Sequence, residues 1–203
     1  MLKQPYAEQP VFRLRHSAAH LMAQAVTQLF PGTKLGIGPP IENGFYYDFD
    51  LPRPLTEDDL PKIEQRMREL ADASQPIERF ELPRDEARKY IEEHHPDDPY
   101  KLELLADIPE GETISFYKQG DFVDLCRGPH VEDTHAIQHF KLLSIAGAYW
   151  KGSERNKMLT RIYGTAWFTQ EELDAYLKRV EDAKLRDHKR LGKELGIFMV
   201  SPE

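Results

Sequence analysis

The 203-residue chain has no run of about 18 apolar residues, and its start, MLKQPYAEQP, lacks the charged-then-apolar pattern of a signal peptide. Neither a membrane span nor secretion is expected, and the reading is a cytoplasmic one. A single cysteine, Cys126, excludes an intramolecular disulfide, so the chain must fold unstapled in a reducing compartment. Repeats and low-complexity tracts are absent, and 31% charged with 10% aromatic residues is too ordinary for a disordered chain. Positive charge is also short: 27 Lys and Arg face 35 Asp and Glu, a net charge of −8. That total argues against a simple nucleic-acid binder, but its placement does not. Residues 57–110 hold 17 acids and 8 bases, which leaves 18 acids and 19 bases elsewhere. Within that near-neutral remainder, Lys141, Lys151, Arg155, Lys157 and Arg161 have only Glu154 near them in sequence. Lys184, Arg186, Lys189, Arg190 and Lys193 have only Asp187. Both clusters are candidate phosphate-binding patches, with a solvated helix face as the alternative for the second.

What is present reads as helices mixed with short strands. Apolar residues at Leu14, Ala18, Leu21, Ala25, Val26 and Leu29 predict an amphipathic helix over 14–30, stopped at Pro31-Gly32. Segments 34–38 and 45–49 read as strands around Pro39-Pro40 and an Asn43-Gly44 reversal. Thr56, with Asp59 three residues on and Pro61 close behind, predicts a capped helix to about Ala73. A strand over 77–82 and helices over 83–93 and 100–106 follow. Beyond Thr113, the runs 114–118, 140–145 and 158–163 fit an antiparallel sheet. Helical periodicity over 170–194 lasts about seven turns, and the tail Gly196–Glu203 reads as a connector. The expected class is α+β: an antiparallel sheet packed with helices, an acidic helical insert at about 57–110 and a long C-terminal connector helix. Residues 1–169 are expected to form the working domain, including an α/β subdomain at about 51–110, and 170–203 a helix and linker.

Chemistry concentrates in two pairs. His16 and His20 lie one turn apart on the same face of the first helix, a spacing that suits one metal ion. The glutamate that a metalloprotease helix places after its first histidine is Ser17 here, so peptide hydrolysis of that kind is poorly supported. In Cys126-Arg-Gly-Pro-His130, glycine and proline force a turn that folds Cys126 toward His130. The four residues match a tetrahedral zinc set, although 105 residues separate His20 from Cys126. The plainer alternative is a core histidine pair and a small buried cysteine. Asp124, two residues before Cys126 in a strand, shares its face. His94, His95, His135, His139 and His188 read as surface or supporting residues.

His16-Ser-Ala-Ala-His20, Gly36-Ile-Gly-Pro-Pro-Ile-Glu-Asn-Gly-Phe-Tyr-Tyr-Asp48, Asp124-Leu-Cys-Arg-Gly-Pro-His130, His139-Phe-Lys-Leu, Gly147-Ala-Tyr-Trp and Arg161-Ile-Tyr-Gly-Thr-Ala-Trp167 together resemble the N-terminal editing domain of bacterial-type threonyl-tRNA synthetase. The HxxxH plus CxxxH arrangement is shared with the editing domain of alanyl-tRNA synthetase. The resemblance implies hydrolysis of mischarged seryl-tRNA(Thr) to serine and tRNA(Thr). It implies that His16 and Lys101 position and activate water or protonate the leaving oxygen, and that Asp124 holds the substrate's ammonium or hydroxyl. Tyr47 would line the adenosine pocket, while His20, Cys126 and His130 shape the site. A site working without metal is implied, with Zn2+ on His16, His20, Cys126 and His130 as the alternative. Two rivals remain: a thiol hydrolase with Cys126 as nucleophile and His130 or His16 as base, and a noncatalytic zinc-stabilised RNA-binding module. Aminoacylation is not expected, since no ATP-binding segment is recognisable. The resemblance places the chain between a small ubiquitin-like domain and the catalytic core of a homodimeric enzyme. The isolated chain is expected to be a monomer that binds the tRNA acceptor end weakly, with strong salt dependence.

Overall fold

The computed structural model describes residues 5–95 and 97–194, with side chains through Arg186. Helix α1 (Pro10–Leu29) starts with proline at its first position, where no intrahelical N–H is needed. The predicted one-sided helix is instead buried on every side from Leu14 to Val26. It lies between a sheet and helix α2 (Leu60–Asp72). Its polar side chains therefore need partners inside the protein. Arg15 donates to the Ala166 and Glu42 carbonyls and lies over the Trp167 ring. Gln24 and Gln119 exchange hydrogen bonds, Gln119 donating over 2.9 Å. His20 is the exception, because its Nδ1 is buried without a partner.

The first sheet is antiparallel, with strands β1 (Lys34–Leu35), β3 (Gly44–Asp50), β8 (Met158–Trp167) and β7 (His139–Tyr149) in that order, and β2 (Pro40–Ile41) beside β3. The reversal before β3 differs from the expected one. Ile41 pairs with Gly44, so Glu42 and Asn43 turn the chain and Gly44 already belongs to the strand. Glycine is required there by close approach: a Cβ would stand 2.1 Å from the Gly164 carbonyl oxygen across the sheet. Gly44→Ala is expected to destabilise by about 1–3 kcal/mol, read as a lowered urea midpoint with the slope kept. An unmoved midpoint would contradict this packing. The expected strand at 34–38 shortens to two residues, although Gly36 N–H still donates to the Asp48 carbonyl at 2.8 Å.

The second sheet joins β4 (Ile77–Glu81), β5 (Ser115–Gln119) and β6 (Phe122–Leu125), all antiparallel. Helices α3 (Arg84–His94) and α4 (Pro99–Asp107) belong with it. Two cores result. One packs Phe45, Tyr47 and Phe49 of β3 against α1 and against Ile63 and Met67 of α2. The other packs Ala87, Ile91 and Leu105 on Phe116 and Val123. The acidic stretch 57–110 thus divides, with α2 in the first core and α3 and α4 in the second. A third cluster, Tyr100 and Trp150 with Leu159, clamps α4 to the end of the β7–β8 hairpin. Helix α5 (Gln170–Glu194) follows the sequence pattern; the tail from Gly196 lies outside the described residues.

Candidate active site

The seam between the cores is where α1, the β1–β3 region, α4 and β6 meet, and a cavity of about 420 Å³ opens there. His16, His20, Tyr47, Lys101, Asp124 and Cys126 all line it. The fold brings together every residue singled out in the sequence, with His130 directly behind. His16 Nε2 lies 3.2 Å from the Cys126 sulfur and His130 Nε2 lies 3.4 Å from it. The His16 and His130 rings are stacked with centroids 4.2 Å apart.

Hydrogen bonds fix the proton positions. His16 Nδ1 faces the Pro129 carbonyl at 3.2 Å and must donate to it, which leaves Nε2 as a lone pair. The Ser17 hydroxyl donates to the Arg13 carbonyl at 2.8 Å and accepts the Val131 N–H at 2.9 Å. His130 Nδ1, 3.1 Å from that hydroxyl, is therefore the donor, and its Nε2 is also a lone pair. Two lone pairs then converge on one thiol that has a single proton to give. Ser17 was read only as an interruption of the histidine motif; no local signal marks its role, because His130 and Val131 reach it from the far motif.

The same cavity holds an ion pair. Lys101, 1% exposed, donates to the Gly36 carbonyl at 3.0 Å and to the Tyr47 hydroxyl at 3.1 Å, and is ion-paired with the Asp124 carboxylate. Tyr47 in turn donates to Asp124 at 2.5 Å, and His20 Nε2 lies 3.7 Å from the same carboxylate. Asp98 sets this arrangement. Its carboxylate caps α4 by accepting the Tyr100 N–H at 2.9 Å and also takes the Leu35 N–H at 2.8 Å. The Lys101 helix and the Gly36 carbonyl are thereby tied to one group. Asp98 was not singled out, although Asp followed by Pro at a helix start is a capping signal.

Burial decides the charge states. It lowers the pKa of His16 and pushes those of His20 and His130 well down, the last two also through their neighbouring histidines or Lys101. The Cys126 thiol is pushed up to about 12 by burial, with the Asp124 charge adding to it. At neutral pH the corner therefore holds three neutral imidazoles and a thiol. Since the unfolded chain takes up protons near pH 6.5 and these folded histidines do so only below it, stability is complete above 6.5 and falls as pH drops from there toward the folded values. Each histidine contributes a slope of up to about 1.4 kcal/mol per pH unit. Urea unfolding between pH 8 and 5 is expected to show a plateau and then this fall; constant stability throughout would contradict it.

The donor set also fits a metal ion. One ligand atom from each of His16, His20, Cys126 and His130 lies within 4.8 Å of the others. Ligand atoms around tetrahedral zinc are about 3.5 Å apart, close to the two sulfur–nitrogen distances. The partnerless Nδ1 of His20 is a further donor atom in this corner.

Residues 114–163 match the family described as threonyl and alanyl tRNA synthetase second additional domain. The chain is 57% identical over 189 residues to the threonine–tRNA ligase of Acetivibrio thermocellus, covering 93% of this chain and 29% of that protein. It is 56% identical over 193 residues to that of Rubrobacter xylanophilus (95% and 29%) and 59% over 190 residues to that of Geobacillus kaustophilus (94% and 29%). The chain belongs to the threonyl-tRNA synthetase family. It carries that family's editing-type domain and spans less than a third of the length of these relatives.

In this synthetase domain the expected basic patch of 141–161 is largely neutralised. Lys141 pairs with Glu64, Lys151 with Asp107, Lys157 with Asp50 and Arg161 with Asp48. These acids arrive from distant elements, which local charge counting cannot see. Much of the second cluster lies beyond the described side chains. His94 stacks on Tyr90 at the surface and His135 is exposed, while His188 lies outside the described side chains. Among the described residues, no helix is long and apolar enough to cross a membrane.

Proposed function

We propose that the chain is the proofreading part of a threonyl-tRNA synthetase and hydrolyses mischarged seryl-tRNA(Thr) to serine and tRNA(Thr) in the cytoplasm. Residues 1–169 are its working body, and 170–203 lead toward the rest of the enzyme. One observation carries the reading: a neutral histidine and a buried lysine–aspartate pair line a single cavity. The need is physical. Serine lacks only a methyl group of threonine, which gives a synthetic pocket about 1–3 kcal/mol of discrimination, so a second cavity that excludes the larger side chain is required.

Ester hydrolysis needs a base for water, positive charge near the carbonyl oxygen and a proton for the leaving ribose oxygen. His16 fills the first role, because its Nε2 is a lone pair on the cavity wall; once protonated, it returns the proton to the ribose oxygen. Lys101 is held rather than free: it donates to the Gly36 carbonyl and the Tyr47 hydroxyl and is ion-paired with the Asp124 carboxylate. It supplies fixed positive charge and holds Asp124. Of roughly four acceptor positions on that carboxylate, those not taken by Lys101 and Tyr47 receive the substrate's ammonium or hydroxyl. Tyr47, its hydroxyl engaged, serves as adenosine-side wall.

Zinc held by His16, His20, Cys126 and His130 would supply an activated water only if one of them let go, because four protein ligands close a tetrahedral ion. That closure favours the metal-free reading for catalysis. A thiol hydrolase is opposed by the raised Cys126 pKa, since the thiolate is the nucleophile. The test is hydrolysis of seryl-tRNA(Thr) beside threonyl-tRNA(Thr), with and without a strong chelator. Selective loss of the seryl ester, indifferent to chelator, is expected. Equal hydrolysis of both esters, or chelator-abolished turnover, overturns the reading. The isolated chain should sediment as a monomer.

A further inference from the structure

Two exposed side chains of different kinds stand on the cavity: Ile37, 37% exposed, and Arg127, whose side chain is 72% exposed. We propose that Arg127 is a phosphate-binding residue that grips the phosphodiester joining the esterified terminal nucleoside to the rest of an RNA 3′ end. The inference rests on the ester-hydrolase reading above and adds the ligand class at the rim.

A nucleoside ester must enter with its ester end against His16 and Asp124, which lie on the buried wall. Its 5′ phosphate then emerges toward the solvent side, where a cation has to meet it. Among the described residues, only Lys101 and Arg127 bring fixed positive charge to the lining, and Lys101 is buried against Gly36 and Tyr47 and paired with Asp124. Arg127 is exposed. Its guanidinium carries five N–H donors, and among the described residues its one partner is the exposed carboxylate of Glu112. Exposed pairs of this kind hold weakly, so a phosphate, which takes a guanidinium in bidentate fashion, displaces Glu112 readily.

The backbone is fixed while the side chain is free, as a clamp requires. Cys126 N–H donates to the Ser115 carbonyl at 3.0 Å, and the Ser115 hydroxyl donates to the Cys126 carbonyl at 2.7 Å. On the other side, Gly128 N–H donates to the Cys126 sulfur at 3.2 Å. Gly128 has φ +76°, and the Tyr117 hydroxyl fills the space where a Cβ would stand. Ile37 offers apolar surface at the same mouth for the base of the bound nucleoside.

The experiment compares kcat/KM for seryl-tRNA(Thr) and for 2′(3′)-O-seryl-adenosine, which has no phosphate, in the full 203-residue chain and in Arg127→Gln, Arg127→Glu and Glu112→Gln. The tRNA-to-adenosine ratio is expected to fall about tenfold in Arg127→Gln and further in Arg127→Glu, mainly through KM. The slope of log KM against log salt should drop by about one. Glu112→Gln, which frees the guanidinium, should raise the ratio. An unchanged ratio in Arg127→Glu, or an equal loss on both substrates, overturns the phosphate assignment while leaving the hydrolase reading in place. Hydrolysis of neither ester by the unsubstituted chain overturns both.

Discussion

Lys101→Met is expected to abolish detectable hydrolysis of seryl-tRNA(Thr) and to destabilise the fold at once. Methionine keeps the length and the apolar stem but leaves the Asp124 carboxylate, 2% exposed, without its counter-charge. Removing one partner of a buried pair costs about 3–5 kcal/mol, because the other charge stays desolvated. Urea unfolding and turnover should therefore fall together. The double variant Lys101→Met with Asp124→Asn separates the two losses: stability should return in large part, and activity should not. A single variant that stays as stable as the parent would mean that the pair is solvated in solution. Retained turnover would remove Lys101 from the mechanism.

His16→Ala should lower kcat by about 10²- to 10⁴-fold, the usual worth of a positioned base, with the fold kept. The residue is 9% exposed at the cavity, and the His130 ring stacked on it belongs to a loop also held by Ser17. Cys126→Ser should cost far less, since the hydroxyl can still donate to an imidazole lone pair. The order of these two losses discriminates between mechanisms. If Cys126→Ser is the more damaging and a covalent serine adduct on Cys126 can be trapped, the thiol-hydrolase reading replaces the one proposed here. The residual rate of His16→Ala should also lose the acid limb of the parent's pH profile, because the group whose lowered pKa sets that limb is gone.

The secondary structure was largely legible because its signals are local. The Pro31-Gly32 stop, Thr56 with Asp59 and the helical periodicity of 170–194 each act within a few residues. The misread places depended on distant partners. Gly44 looked like half of an Asn-Gly turn, but its constraint is the backbone of Gly164, 120 residues away. Helix α1 looked one-sided because Ala19, Ala23 and polar residues with buried partners fall outside its apolar stripe. At the site, His16, His20, Cys126 and His130 could be grouped from spacing alone, since two short motifs carry them. Lys101 and Tyr47 came only through resemblance, because a lysine on an ordinary helix gives no sign that the Gly36 carbonyl, the Tyr47 hydroxyl and the Asp124 charge surround it.

The constellation lies on the seam between two hydrophobic cores: His16 and Tyr47 belong to one side, Lys101 and Asp124 to the other. No single core holds it. Warming that parts the seam by a fraction of an ångström would separate base from counter-charge while both cores keep their helices and sheets. Heat inactivation of the proposed hydrolysis should then precede the loss of secondary structure, at a temperature set by how well Trp150 and Asp98 hold α4 in place.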